Sequence, residues 1–502
     1  MKRISERWAG PLLIATLLGA VSAPRPGQAA PDEASGEASA SRSRTPPRPQ
    51  PSYWRAMGET TLFLGAGTAW YWANRDENSR DWDYNSLSSR FQDGHIRFDN
   101  NHYTINNLVH PLDGGAYYLF ARANGLPVHE AFAMSAMAST FWEYILEYRE
   151  RVSINDMIFT PGGGMVLGEA TFQLADYLSS APDRGSWAHE LAAWTLGFPV
   201  RVHDALDGRH PPDGPVDNLG FAARRRHDFR VAYESLRPNG GPPSHGLNVQ
   251  IRLDSLRGHD RPGNFRLFFA DGNHVDLRVR AGFNDNGATE LDLRSDIGVI
   301  GYYSQSFDRL GDGASAAARL GLGFEHIQRW HPEPSDRIST LHLPGPSLEL
   351  RGRNGALQGR MQVDLSPDFA ALDGIAFPLW KALNPGETTK SVTEEFYYYY
   401  AFGGSARFEA SGSWHGVELG GRVRYSHYDS IDGLDREQES ITKDLNLGDD
   451  LYEWGGWLGW ADREALTHVR VGLEGIRRTG TAGDVAVRQN RRRVALQVGF
   501  AL

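Results

Sequence analysis

The sequence predicts an α+β multidomain protein, a small N-terminal α-helical bundle followed by an antiparallel transmembrane β-barrel of about 12 strands. Three observations carry this expectation. The chain opens like an exported protein, its hydrophobic period changes to two near residue 245, and its β-half alternates tight turns with long connections.

The opening comes first. Lys2, Arg3 and Arg7 precede an apolar stretch over 9–21, and the small residues Gly27 and Ala29 allow cleavage near Ala30. That is the layout of a signal peptide, expected over 1–29, and the apolar run is shorter than the roughly 20 residues of a membrane-spanning helix. No cysteine follows it, so a lipoprotein anchor is excluded. Residues 30–52 are rich in Ala, Ser, Pro and Arg and should form a disordered linker.

Helical texture then runs over 53–206, with candidate helices at 53–73, 110–124, 128–148, 164–178 and 186–194. A connector over 207–244 follows, rich in Arg, Pro and Gly, with a short helix expected around 218–236.

From 245 to 502 the alternation is strict. Leu247, Val249, Ile251 and Leu253 interleave with Asn248, Gln250 and Arg252, and the pattern recurs at 275–281, 291–296, 319–324, 357–365, 398–410, 417–425, 469–473 and 494–502. Weaker segments at 265–269, 347–351 and 451–460 complete the count. Short turns are expected at 271–273, 353–355, 411–413 and 462–464, and long connections at 366–392, 429–450 and 479–490. Tight periplasmic turns opposite long external loops are the habit of outer-membrane barrels. The connection 304–314 is longer than that habit wants. Alternation alone also suits a secreted β-sandwich, which buries its apolar faces between two sheets. The export signal, the loop rhythm and a strand ending at the C-terminus favour the barrel. Trp and Tyr near strand ends, such as Tyr302, Trp414 and Trp460, would suit interfacial girdles.

Composition removes several functions. With no cysteine among 502 residues there is no disulfide framework, Cys-ligated zinc or thiol nucleophile. A net charge of −10 lacks the basic footprint of nucleic-acid binding. A mean hydropathy of −0.47 is compatible with barrel strands, whose polar residues face the lumen. The expected partner is outer-membrane lipid, and no cofactor is expected.

The helical half carries the unusual polar residues. It reads N-L-V-H-P-L-D-G-G-A-Y-Y over 107–118, A-R-A-N-G over 121–125, S-T-F-W-E-Y-I-L-E over 139–147 and S-I-N-D-M-I-F-T-P-G-G-G-M-V-L-G-E over 153–169. These HPxxG, WExxxE and SxxD…GE elements resemble a bacterial family known as domain of unknown function 3943, over roughly 99–173. The resemblance implies a signal-peptide-bearing outer-membrane protein and no established activity.

Six of these residues are candidate site groups: His110, Asp113, Glu143, Glu147, Asp156 and Glu169. On a continuous helix Glu143 and Glu147 share one face, where two acids repel unless protonated, paired or holding a cation. Arg149 and Arg151 are near enough to pair with them, which gives a structural ion-pair network; a catalytic or metal role is the competing reading. His110 precedes Pro111 at a helix start, with Asp113 in the following turn. It is either a helix-end hydrogen-bonding residue or, with the acids, a general base or ligand; no metal signature such as HExxH is present, and His189-Glu190 lacks its second histidine. Ser153 and Asp156 approximate a capping box. Gly162-Gly163-Gly164 lacks the Lys-Ser/Thr of a phosphate loop, whereas Gly164 with Gly168, and Gly65 with Ala69, are spaced for close helix contact.

Three functions follow. The first is an outer-membrane protein, structural or transport-related, whose helical module sits on the periplasmic side or plugs the barrel. The second is an envelope enzyme acting on lipid through the six polar residues, with Ser135, Ser139 or Ser153 as nucleophile but no GxSxG elbow. The third is a secreted binding protein with a sandwich fold.

Overall fold

The computed structural model describes residues 50–73, 87–91, 96–99, 101–147, 151–181, 187–209, 226–238, 243–256, 258–330, 336–431, 441–462 and 467–501. The expected signal peptide, the linker up to residue 49, Arg149 and the terminal Leu502 lie outside them.

Thirteen strands form one sheet, and twelve of them close it. In chain order these are β3 (Arg226–Pro238), β4 (Ser244–Asp254), β5 (Gly263–Phe269), β6 (His274–Asn284), β7 (Gly287–Phe307), β8 (Gly313–Arg329) and β9 (Asp336–Asn354). There follow β10 (Leu357–Asp373), β11 (Tyr398–Trp414), β12 (Val417–Ser430), β13 (Leu447–Asp462), β14 (Thr467–Ala482) and β15 (Val485–Ala501). Two-residue segments β1 (Ile96–Arg97) and β2 (Val152–Ser153) make a separate parallel pair. Neighbours pair antiparallel throughout, β6 pairs with β7 and β7 with β8, and β15 pairs with β3, which shuts the ring. The exception is β5, which continues the line of β6 along β7. A sheet closed on itself leaves no second sheet to stack against, so the sandwich alternative is gone.

Several boundaries differ from expectation. Strand β3 occupies the place of the expected connector and its helix: Phe229, Val231 and Tyr233 alternate with Asp228, Arg230 and Glu234 there. The long connection expected over 479–490 is a tight turn, because β14 runs to Ala482 and β15 starts at Val485. The turn expected at 411–413 lies at His415-Gly416, where both residues have positive φ, as a two-residue hairpin turn of the I′ kind demands. The connection at 304–314 shortens to 308–312 because both strands are longer than expected.

The two rims therefore differ less than expected. Call the rim where β3 begins and β15 ends the terminal rim. The far rim holds tight turns at 285–286 and 483–484, but also the two long connections 374–397 and 431–446. The first of these folds back as helices α7 (Phe377–Leu383) and α8 (Ser391–Phe396).

Among the described residues, six further α-helices precede the barrel: α1 (Tyr53–Ala73), α2 (His110–Ala123), α3 (Val128–Phe141), α4 (Ile154–Ser179), α5 (Trp187–Leu196) and α6 (Phe198–Leu206). Helix α1 matches its expected bounds. Helix α4 begins ten residues before the expected start because Ser153 caps it, accepting the Asp156 amide at 3.2 Å. Helix α6 was not anticipated.

Side-chain alternation sorts the barrel wall. Arg252, Asp276, Arg294, Asp364, Arg407 and Arg424 line the central cavity, and every residue lining it comes from a strand. Side chains of the opposite phase face outward, and their surroundings divide the wall in two. On β12 to β15 they are open, with Leu419 66% and Val471 55% exposed. On β4, in the middle of β6 and β7 and on the far-rim halves of β8 to β10 they are covered: Phe324 is 1% and Leu341 2% exposed, packed in one core with Phe159 and Val166 of α4, whereas Leu348, Leu357 and Leu365 nearer the terminal rim are open. Helix α4 thus crosses the outer wall. Phe159 meets Phe369 of β10 at 5.1 Å between ring centroids, and Tyr177 meets Phe229 of β3 at 6.1 Å. The expected helical plug is not what these contacts describe, since Phe324, Leu341 and Phe369 turn away from the lumen.

Candidate functional site

The site's frame is the crossing of α2 and α4. A Cβ at Gly114 would lie 1.8 Å from the Thr160 carbonyl oxygen, and one at Gly164 would lie 2.4 Å from the Gly114 carbonyl carbon. At Gly168 it would meet the Gly115 carbonyl oxygen at 2.9 Å. The backbones touch because glycine is the only residue that fits, as the spacing of Gly164 and Gly168 predicts. The parallel expectation for Gly65 does not hold, since nothing lies within 4 Å of its would-be Cβ; Gly67 is the residue that packs, against Trp142. Ser135 of α3 locks on by donating to the Gly114 carbonyl at 3.0 Å.

One end of this bundle gathers polar groups. His110 Nε2 lies 3.7 Å from Asp156 Oδ2. The other Asp156 oxygen accepts from Asn155 Nδ2 at 2.8 Å, and Asn155 Oδ1 in turn accepts the Asp99 amide at 2.7 Å. Glu143 Oε2 accepts the Ser153 amide at 3.0 Å, and Ser139 donates to the Asp156 carbonyl at 3.4 Å. Arg90 is fully buried and donates to the Glu143 carbonyl, and to that of Glu147 at 3.0 Å. Asp113 is half-buried one turn after His110.

Two local departures from α-helix frame the cluster. A π-helical turn over Ile105–Val109 leads directly into His110, and another over Trp142–Leu146 carries Glu143. In the second, the Glu147 amide reaches back to the Trp142 carbonyl at 2.9 Å. The expected helix over 128–148 therefore ends at Phe141, and the regular i,i+4 geometry assumed for Glu143 and Glu147 does not apply. Wide turns of this kind recur at functional sites, where they re-aim a side chain.

Glu169 does not join this group. It is buried between Arg122 and Tyr118, with Arg122 Nε at 2.7 Å, Arg122 Nη2 at 3.1 Å and the Tyr118 hydroxyl at 2.8 Å. Gln173 adds a bond at 2.6 Å and also donates to the Asp271 carbonyl of the barrel at 3.3 Å. Every strong partner is supplied, so this is a structural ion pair and the six candidates split into five and one. Sequence reasoning missed Arg90, Asp99, Asn155 and Arg122. Arg122, the one charged side chain in the apolar second half of α2, is the one available signal. Among the described residues no group of three or more His, Asp or Glu side chains is placed to hold a metal ion.

The closed antiparallel ring, its charged lumen and its open apolar belt define an outer-membrane-type β-barrel. Residues 95–198, which hold the polar cluster and the helix crossing, match the family model Domain of unknown function (DUF3943), so the resemblance drawn from the motifs holds. No curated protein matches the chain. Among solved structures, the NanC porin aligns over 55% of this chain and 100% of its own at 9% identity, with a TM-score of 0.24. Outer membrane protein Omp33 of Acinetobacter baumannii covers 55% and 98% at 5% identity and TM-score 0.21. The β domain of the Bordetella autotransporter BrkA covers 55% and 98% at 13% identity and TM-score 0.23. Scores this low carry no argument, and the barrel stands on its own strand pairing.

Proposed function

We propose that this outer-membrane barrel is a structural scaffold for its helical module and not an open pore. The observation that carries this reading is a set of ion pairs reaching across the lumen. Arg294 of β7 bonds Glu453 of β13 at 3.0 Å, although five strands lie between them in either direction around a ring of twelve. Arg407 of β11 reaches Asp296 of β7 at 2.9 Å, and Arg424 of β12 reaches Glu325 of β8 at 2.5 Å. Side chains that meet across the lumen leave no straight passage at that level. Above them, at the far rim, the connection from β10 to β11 closes the mouth. Phe377 and Trp380 are buried there against the inward-facing Leu372, Tyr399 and Leu451. The plugging segment is thus part of the barrel half.

Planar-bilayer recording tests the scaffold. Purified wild-type protein is expected to insert without steady open-channel current. A current of the size expected for an unobstructed 12-stranded pore would overturn the scaffold reading.

A second reading, lipid chemistry at the polar cluster, is favoured by the contact of His110 with Asp156 beside a buried Glu143. Ionisable residues inside a membrane-associated bundle are functional candidates by default. A phospholipid hydrolysis screen with His110→Ala as control decides it. Turnover that the variant loses by two orders of magnitude or more supports general-base chemistry, at the ~10²–10⁴-fold such a group contributes. No turnover, or equal turnover in both proteins, removes the enzyme reading.

A further inference from the structure

We infer that the helical module is immersed in the hydrocarbon layer beside the barrel, with lipid acyl chains as the partner of its outer face. The location of α4 is the starting point. Its 26 residues span about 39 Å, and its contacts run from the far-rim part of β10 to the terminal-rim part of β3. It therefore lies against the same height of wall that β12 to β15 expose to lipid, roughly the 30 Å of a bilayer core. Helices α2 and α3 pack on α4, and α1 packs on α2, so their outer faces take the place of the wall they cover.

Those faces are apolar. Leu62 is 76% exposed and Met137 and Trp70 are each 65% exposed. Every exposed position of α1 from Met57 to Trp70 is uncharged, and so is every exposed position of α3 after His129. Two threonine hydroxyls on these helices bond their own backbone: Thr68 donates to Leu64 and Thr140 to Ala136, both at 2.8 Å. Polar groups in hydrocarbon must be satisfied in this way.

Charge appears at the two ends. At the terminal rim Arg55 pairs with Asp207 at 2.9 Å and the Tyr53 hydroxyl donates to Glu130 at 2.9 Å. That hydrogen bond from Arg55 holds the Asp207 carboxyl below its ordinary range. Towards the far rim sit Arg90, Glu143 and Glu147. Trp54 marks the first end of α1, Trp70 and Trp72 the second, the positions where tryptophan collects at membrane interfaces. No helix among the described residues is by itself long and apolar enough to cross a membrane. The barrel removes that requirement, because α4 turns one side to protein along its whole length.

The natural absence of cysteine makes the test direct. Leu62→Cys and Met137→Cys, each carrying a bimane fluorophore, are placed in nanodiscs of phosphatidylethanolamine and phosphatidylglycerol. Leu473→Cys on the open barrel belt and Asn286→Cys in an exposed turn are the references. Both module positions are expected to match Leu473→Cys in quenching by acyl-brominated lipid. They should react with a charged maleimide about tenfold more slowly than Asn286→Cys, as groups withdrawn from water do. Labelling as fast as Asn286→Cys overturns the inference, because the face is then in water. Slow labelling without lipid quenching also overturns it, because protein then covers the face. Heat-modifiable gel migration confirms the folded barrel in each variant, and Trp70→Cys replaces any that lose it. None of these outcomes depends on whether the lumen conducts.

Discussion

Gly164→Leu is expected to unseat α2 from α4 and cost more than about 4 kcal/mol, the range reserved for changes a structure cannot absorb. The would-be Cβ at this position already overlaps the Gly114 backbone at 2.4 Å, and leucine adds three more carbons. Backbone cannot rotate away as a side chain would, so the helices must separate along their contact. Because Ser135 and Tyr118 also pack at that crossing, the loss spreads to α3 and to the Arg122–Glu169 pair. Gly65→Leu is the matched control, since its Cβ meets nothing, and it should stay within about 0.5 kcal/mol of wild type, as ordinary surface changes do. Denaturant titration followed by tryptophan fluorescence in detergent reads both. Equal stability of the two variants would show that the crossing is not as close as described.

Arg122→Met carries the second large effect. It leaves Glu169 buried with its counter-charge gone, and breaking a buried pair from one side costs about 3–5 kcal/mol. The double variant Arg122→Met/Glu169→Gln removes the orphaned charge and should regain most of the loss, because a paired charge in a dry core is worth little more than well-packed neutral groups. The same titration separates the cases. Arg122→Met as stable as wild type would mean that water reaches Glu169, contrary to its complete burial.

The parts of the fold that were legible are those where one physical cause acts alone. Helix α1 is an uninterrupted helical segment, and its bounds were readable to the residue. Strand β12 shows Val417, Leu419, Val423 and Tyr425 in the lipid phase with Arg422 and Arg424 opposite, and its alternation was plain. Strand β3 has the same alternation, but Arg, Pro and Gly around it suggested a connector. The turn at 483–484 looks like part of a long loop in the sequence because Thr, Gly, Asp and Arg are common in both.

The position of the helical module was not legible, for a definite reason. Phe324 under α4 and Val471 under lipid obey the same rule, an apolar side chain facing an apolar medium, and nothing in the sequence marks which medium it is. The candidate site was half legible. His110, Asp156 and Glu143 stand out as residues, but Arg122 and Tyr118 beside Glu169, and the carbonyl that Arg90 meets at Glu143, come from segments 47 or more positions away. The two π-helical turns carry no periodicity signal of their own.

The placement of α4 on the outer wall is tested most directly by a disulfide. A Cβ at Gly162 would approach the outward-facing Leu341 side chain at 2.5 Å, whereas the adjacent His342 points into the lumen and bonds Asp368 at 2.7 Å. In this cysteine-free chain the pair Gly162→Cys/Leu341→Cys should oxidise to a cross-link visible as a gel-mobility shift, and Gly162→Cys/His342→Cys should not. A cross-link to position 342 in place of 341 would put the helix inside the barrel and contradict the account.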